Sequence, residues 1–145
     1  IGGFKMVGKK VMLRARMGSG DAHYAGELVN GSKILDFFGD LGTELCIRYD
    51  GDESLFVSYS SIEFLAPVYA GDFMEYCAWI EKAGNTSRVC KFEAYKVIEL
   101  ARDPELSLSS ANVLTEPVLA GRAEGTLIVK KDRQRGAQDP EFMHS

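Results

Sequence analysis

From Gly31 onward the apolar residues Ile34, Leu35, Phe38, Leu41 and Leu45 recur at helical intervals, while Asp36, Asp40, Thr43 and Glu44 fall on the other side of a helical wheel. The spacing predicts one amphipathic helix of about four turns, with Asn30 as its N-cap. A turn at 50–53 (DGDE) then closes a further short segment. Beyond it the period changes. Residues 55–65 and 73–82 are rich in aromatic and β-branched side chains and read as two antiparallel strands, with Pro67 and Gly71 punctuating the join. After a tight turn at Gly84–Asn85, residues 87–100 set Val89, Lys91 and Glu93 against Cys90, Phe92 and Ala94, the alternation of a third long strand.

A short strand over residues 10–16, bounded by Gly8 and by the Gly18 and Gly20 breaks, precedes the helix, and a last strand is expected over 118–131. Residues 101–117 hold two prolines and several serines and read as a long exposed connection. Residues 1–6 are set aside as a tag or a disordered end, and 132–145 as a polar tail. One helix followed by long hairpin-linked strands is an α+β layout in which an antiparallel sheet wraps the helix.

Length and composition narrow the classes. At 145 residues the chain fits a single domain with a real core. A hydrophobic share of 46%, a charged share of 26% and a net charge of -4 give no positive field for nucleic acid or an anionic membrane. No apolar run approaches the ~20 residues of a membrane span, and no secretory signal precedes the domain, so the expected location is the cytoplasm. Cys46, Cys77 and Cys90 have no metal or redox spacing and read as reduced core thiols, with neither a zinc site nor a disulfide framework.

Five segments carry a resemblance when taken together in this order. They are DAHYAGELVNG (21–31), GDLGTEL (39–45), DGDESLF (50–56), IEFLAPVYAGDFMEY (62–76) and DRQRG (132–136). Together they resemble the bacterial β-amino-acyl-CoA ammonia lyases, which act on 3-aminobutyryl-CoA or β-alanyl-CoA. The match runs from about Val7 to Gly136 and is weakest over 101–116. It implies the hotdog fold, reversible removal of ammonia from a β-amino thioester in amino-acid (lysine) fermentation, and no metal or other cofactor, coenzyme A being part of the substrate. It also implies a homodimer as the minimum unit, compatible with higher homo-oligomers, with acyl-CoA sites at the protomer interface. ELCIRYDGDE (44–53) and IEFLAPVYAGDF (62–73) lie slightly closer to the 3-aminobutyryl branch.

In this fold the helix start at Asn30 and Gly31 would present unpaired N–H groups and the positive end of the helix dipole to a thioester carbonyl. Such preorganised donors are worth about 3 to 4 kcal/mol each in oxyanion holes. Gly31 allows close backbone approach; equally, a glycine there serves tight packing of helix on sheet. Against hotdog acyl-CoA thioesterases the same run is similar, yet the helical acid of one group falls on Phe38 and the loop Asp of another on His23. The frame persists while the hydrolytic groups have changed.

Elimination needs a base for the α-proton and an anionic partner for the ammonium group. His23 is the first candidate for proton transfer, with Asp21 as its orienting group. Asp36, Asp40 and Glu44 share a helix face. The resemblance implies a dimer in which part of this helix lies beside the partner's active-site loops, which makes Asp40 and Glu44 the favoured base or ammonium anchor, with Glu63 a further substrate-binding candidate and Asp36 assigned to solvent. Arg88, Arg133 and Arg135 are the candidate contacts for the CoA phosphates. Two other readings share the ligand: a short-chain acyl-CoA thioesterase, and a non-catalytic acyl-CoA-binding module.

Overall fold

The computed structural model describes residues 6–143, so all but Met6 of the expected N-terminal tag lies outside the described residues. The order is β1 (Val7–Arg16), β2 (Ala22–Tyr24), β3 (Leu28–Val29), α1 (Gly31–Asp50), β4 (Leu55–Phe64), β5 (Phe73–Ala83), β6 (Ser87–Leu100) and β7 (Ala111–Ile128). β1, β5, β6, β7 and β4 form, in that order, one antiparallel sheet around the long helix. This is the α+β arrangement that the change of period predicts.

The helix is longer than the expected four turns. Cys46 and Tyr49 continue the buried stripe of Ile34, Phe38, Leu41 and Leu45, so the further short segment before the 50–53 turn is helix as well. It ends where Gly51 takes a left-handed conformation (φ 73°) and its N–H donates to Ile47 O at 2.9 Å. The buried stripe meets the concave face of the sheet, where Met74, Tyr76, Ala78 and Ile80 of β5 lie beside Cys90, Phe92 and Ala94 of β6. Phe38 stacks on Phe92 at 5.2 Å between ring centroids and meets the edge of Tyr76. All three cysteines are free and buried in or beside this core.

Two further sequence expectations change. β4 and β5 are not a hairpin: β4 pairs with β7 at the sheet edge, and β5 lies between β1 and β6. The intervening segment 65–72 crosses under the start of the helix, where Val29 N–H donates to Val68 O (2.8 Å) and Ala70 N–H to Glu27 O (2.9 Å). The supposed 101–117 connection is a loop only to 110, since β7 begins at Ala111. Its pairing with β6 jumps from Lys96↔Val118 to Ile98↔Val113, so 114–117 bulges out around Pro117, which has no N–H to give the ladder. The polar tail packs on the end of the helix. Arg135 N–H donates to Asp50 O and Gln138 N–H to Arg48 O, each at 2.8 Å, and Phe142 is buried. Among the described residues no helix is long and apolar enough to cross a membrane.

Candidate active site at the start of the helix

Asn30 holds the N-cap position with an extended backbone, but its side chain does not cap the helix; its Nδ2 donates to Ser32 Oγ instead. Lys33 N–H donates back to Asn30 O at 3.2 Å, and the N–H groups of Gly31 and Ser32 have no side-chain acceptor, which leaves these two and the dipole open to a ligand oxygen. Gly31 is required for what lies beside it. A Cβ there would come within 2.7 Å of the Phe64 ring, so glycine lets edge strand β4 close onto the helix start.

Two recesses flank this point and share Asn30. One is a cleft of about 520 Å³ lined mainly by apolar groups, among them Tyr24, Leu28, Ile34, Phe64 and Leu65 with Gly31. The other is a polar recess of about 160 Å³ formed by Asp21, His23, Asn30, Ser32, Lys33 and Asp36. An apolar trough, open backbone donors and an imidazole thus converge on one helix turn.

The structure brings together only some of the sequence candidates. Asn30, Gly31, His23 and Asp21 meet here. His23 is exposed, and Asp21 reaches it only through charge. The Asp21 carboxylate accepts from Gly18 N–H (2.9 Å) and pairs with Lys33 Nζ (3.2 Å), and the Gly18 bond first, then Lys33, holds its pKa below the ordinary carboxylate value. Orientation of His23 by a direct Asp21 bond is therefore corrected: that carboxylate is engaged elsewhere.

Asp40 and Glu44 lie further along the helix, about 14 and 20 Å from Gly31 by the rise per residue. They belong to a separate recess with Ile47, Arg48 and Asp139. Glu44 is bound by Arg48 at 2.9 Å, and Arg48 also holds Asp139. Within one protomer neither reaches the helix start. Glu63 follows the strand alternation onto the face opposite Phe64, where it pairs with Arg122 at 2.7 Å.

Arg88 is a correction of the CoA assignment. It is buried at the inner end of β6 and spends its guanidinium on the Asp50 carboxylate and on the carbonyls of Gly84 and Ser87, leaving nothing for a phosphate. Arg135 Nη1 donates to Gly51 O at 3.3 Å. Arg133 remains in a polar recess of about 310 Å³ with Lys130, Asp52, Glu53 and Ser54. That recess is at the far end of a helix of 20 residues, about 30 Å from Gly31.

Sequence reasoning missed the apolar cleft, because Phe64 and Leu65 reach Ile34 only through the crossing of segment 65–72. It also set Asp36 aside as solvated; the one hint was its position four residues after Ser32, on the same face one turn on. Among the described residues no group of three His, Cys, Asp or Glu side chains could hold a metal ion.

Comparison with known proteins agrees with this geometry. The family model described as the Thioesterase superfamily matches residues 26–99. The 3-aminobutyryl-CoA ammonia lyase of Acetoanaerobium sticklandii is 49% identical over 126 residues, covering 87% of this chain and 98% of that protein. The structure of beta-alanyl-CoA:ammonia lyase from Clostridium propionicum superimposes with a TM-score of 0.91 at 52% identity, over 94% of this chain and 96% of that one. A hexameric broad-specificity acyl-coenzyme A thioesterase, at 20% identity and a TM-score of 0.71 over 92% of this chain and 91% of that one, shares the fold. The chain belongs to the thioesterase superfamily of hotdog proteins and, within it, to the β-amino-acyl-CoA ammonia lyases.

Proposed function

We propose that this protein reversibly eliminates ammonia from a β-amino-acyl-CoA, 3-aminobutyryl-CoA or β-alanyl-CoA, to give the enoyl thioester. The observation that carries the mechanism is the helix start, uncapped by any side chain, flanked on one side by an apolar cleft and on the other by the His23 recess. The thioester carbonyl sits on the first-turn N–H groups, which hold the charge that develops on oxygen as the α-proton leaves. His23 takes that proton. The Cα–Cβ double bond forms as the Cβ–N bond breaks, and the protonated amine departs as neutral ammonia. On this reading coenzyme A enters as part of the substrate.

Hydrolysis is disfavoured by Phe38. The position that carries the acid in one thioesterase group is here a ring 1% exposed, stacked in the core. No carboxylate can activate a water from that point.

A homodimer completes the CoA site in this reading. β4 is an edge strand with no Lys or Arg, and it leaves Leu55, Val57, Ile62 and Phe64 exposed, whereas the opposite edge, β1, carries Lys9, Lys10, Arg14 and Arg16. Cationic edges repel strand addition and apolar ones invite it, so β4 pairs with β4 of a second copy across a two-fold axis. β4 runs from Leu55, in the Arg133 recess, to Phe64, in the apolar cleft. Antiparallel pairing therefore sets the cleft of one protomer beside Lys130 and Arg133 of the other, which supply the cations for the CoA phosphates. Higher homo-oligomers built from this dimer are compatible with it.

The test is the ultraviolet band of crotonyl-CoA or acryloyl-CoA with and without ammonium, while a thiol reagent follows free CoA. Ammonium-dependent loss of the enoyl band without thiol release is expected, and the faster substrate identifies the branch, a difference of one methyl worth about 1 to 3 kcal/mol. Ammonium-independent thiol release would make the protein a thioesterase, and binding of CoA without either signal would make it an acyl-CoA-binding module.

A further inference from the structure

We propose that Asp36 is the carboxylate that holds the β-ammonium group of the substrate, in the recess it shares with His23; the assignment rests on the elimination reading above.

The helix face that carries Asp36, Asp40 and Glu44 offers three carboxylates, and the fold distinguishes them. Asp36 lines the polar recess beside Asn30 and His23, whereas Asp40 and Glu44 line another one further along the helix. Asp36 stands about 8 Å beyond Gly31 along the axis by the rise per residue. Helical side chains lean back toward the N-terminus, so its carboxylate leans toward the turn of Ser32, which lines the same recess.

Availability separates them further. Asp21, the other carboxylate of the recess, is occupied by Lys33 and the Gly18 N–H. Lys33, the cation nearest in sequence to Asp36, is spent on Asp21 and lies over the Phe37 ring at 5.1 Å. Glu44 is neutralised by Arg48. Asp36 is exposed and has no hydrogen bond or ion pair among the described residues, so an incoming cation displaces nothing but water.

The two recesses also divide the substrate. Ile34 and Asp36 are nearly opposite each other on the wheel, separated by 160° at 100° per residue. A thioester whose carbonyl rests on the helix start can lay its pantetheine arm in the cleft of Ile34 and Phe64 while its β-carbon and amine enter the recess of His23 and Asp36. The carboxylate keeps the amine protonated, so that nitrogen leaves with the Cβ–N electron pair as neutral ammonia while the α-proton goes to His23. In the reverse direction the same carboxylate gathers ammonium beside the β-carbon of the enoyl thioester.

The experiment is steady-state addition of ammonia to crotonyl-CoA by purified Asp36→Asn, with Asp40→Asn as control and CoA binding measured by calorimetry. Asp36 is exposed, so the variant should fold as the wild type does. Expected are a rise of roughly tenfold or more in the KM for ammonium, an unchanged Kd for CoA, partial recovery in Asp36→Glu, and an unaltered ammonium KM in Asp40→Asn. An unchanged ammonium KM in Asp36→Asn, or an equal rise in Asp40→Asn, overturns the assignment while leaving the elimination reading intact. Absence of any ammonium-dependent reaction in the wild type overturns both.

Discussion

The guanidinium of Arg88 meets the carboxylate of Asp50 edge-on, Nε to Oδ2 and Nη2 to Oδ1 both at 2.8 Å, with the two side chains 3% and 4% exposed. Asp50 ends the helix and Arg88 lies near the start of β6, so this bidentate pair fastens the C-terminal end of α1 to the sheet. Tyr49 lies under the same guanidinium, 4.9 Å from its ring centroid.

Removing one member strands the other. Arg88→Met should cost about 3 to 5 kcal/mol, because Asp50 would remain buried and unpaired, and the double change with Asp50→Asn should cost less than Arg88→Met alone. Urea unfolding of the three variants measures this. If Arg88 instead contacted CoA, Arg88→Met would raise the KM for acyl-CoA with little loss of stability.

A second buried pair works at the other end of the molecule. Lys96 Nζ lies 3.1 Å from Asp72 Oδ2, which also accepts from Tyr69 N–H at 2.7 Å, in the segment whose Val68 and Ala70 bond to the residues just before the helix. Lys96→Met should loosen that segment. Hydrogen exchange at the amides of Val29 and Ala70 should quicken by roughly tenfold or more relative to amides in the centre of β6, since only local opening is made easier. Equal change throughout the chain would mean that the pair serves global stability alone.

Gly31→Ala should lower kcat by about tenfold, because the new Cβ would displace the Phe64 ring from the helix start. Phe64→Ala in the same chain should recover part of the loss, a coupling read from a double-mutant cycle. Additive losses would dissociate Phe64 from the effect of residue 31.

His23→Ala should reduce kcat by roughly 10²-fold with the fold intact, as expected for the loss of a positioned base. Glu44→Gln should leave kcat within about twofold, since Arg48 already neutralises that carboxylate outside the site. Circular dichroism and steady-state rates in both directions decide the two cases, and a large loss in Glu44→Gln would bring the helical carboxylate back into the mechanism.

Burial raises the thiol of Cys46 from 9.0 to about 11, with the charge of Asp50 adding to it. Burial likewise raises Cys77 to about 11, with Glu93 adding to it. A raised pKa means that the folded chain holds the proton more tightly than the unfolded one. The linked stability is therefore complete below pH 9 and is lost as pH climbs toward about 11. Urea midpoints should decline over that window, and at pH 8 a disulfide reagent should label these thiols much more slowly in the native protein than in urea.

Much of this architecture is legible along the chain, because helical and strand periods report which face of an element is buried. Ile34, Phe38, Leu41 and Leu45 announce the inner stripe of the helix, and Cys90, Phe92 and Ala94 the inner side of β6, each from its own neighbours. Family motifs point to candidates on the same local terms, which is why His23, Asn30 and Gly31 can be proposed before any fold is known. A period, however, does not say what covers a face or which strand lies beside which. β4 and β5 look like a hairpin from the punctuation at Pro67 and Gly71, yet pairing with β7 places β4 at the edge. Arg88 has the composition of a phosphate ligand until the helix end brings Asp50 against it. Asp36, Asp40 and Glu44 are equivalent on a wheel, and become different only when the loop of Asp21 and His23 folds beside the first turns while Arg48 and the tail close over the later ones. Such distinctions come from contacts between residues distant in sequence, and only the folded chain holds them.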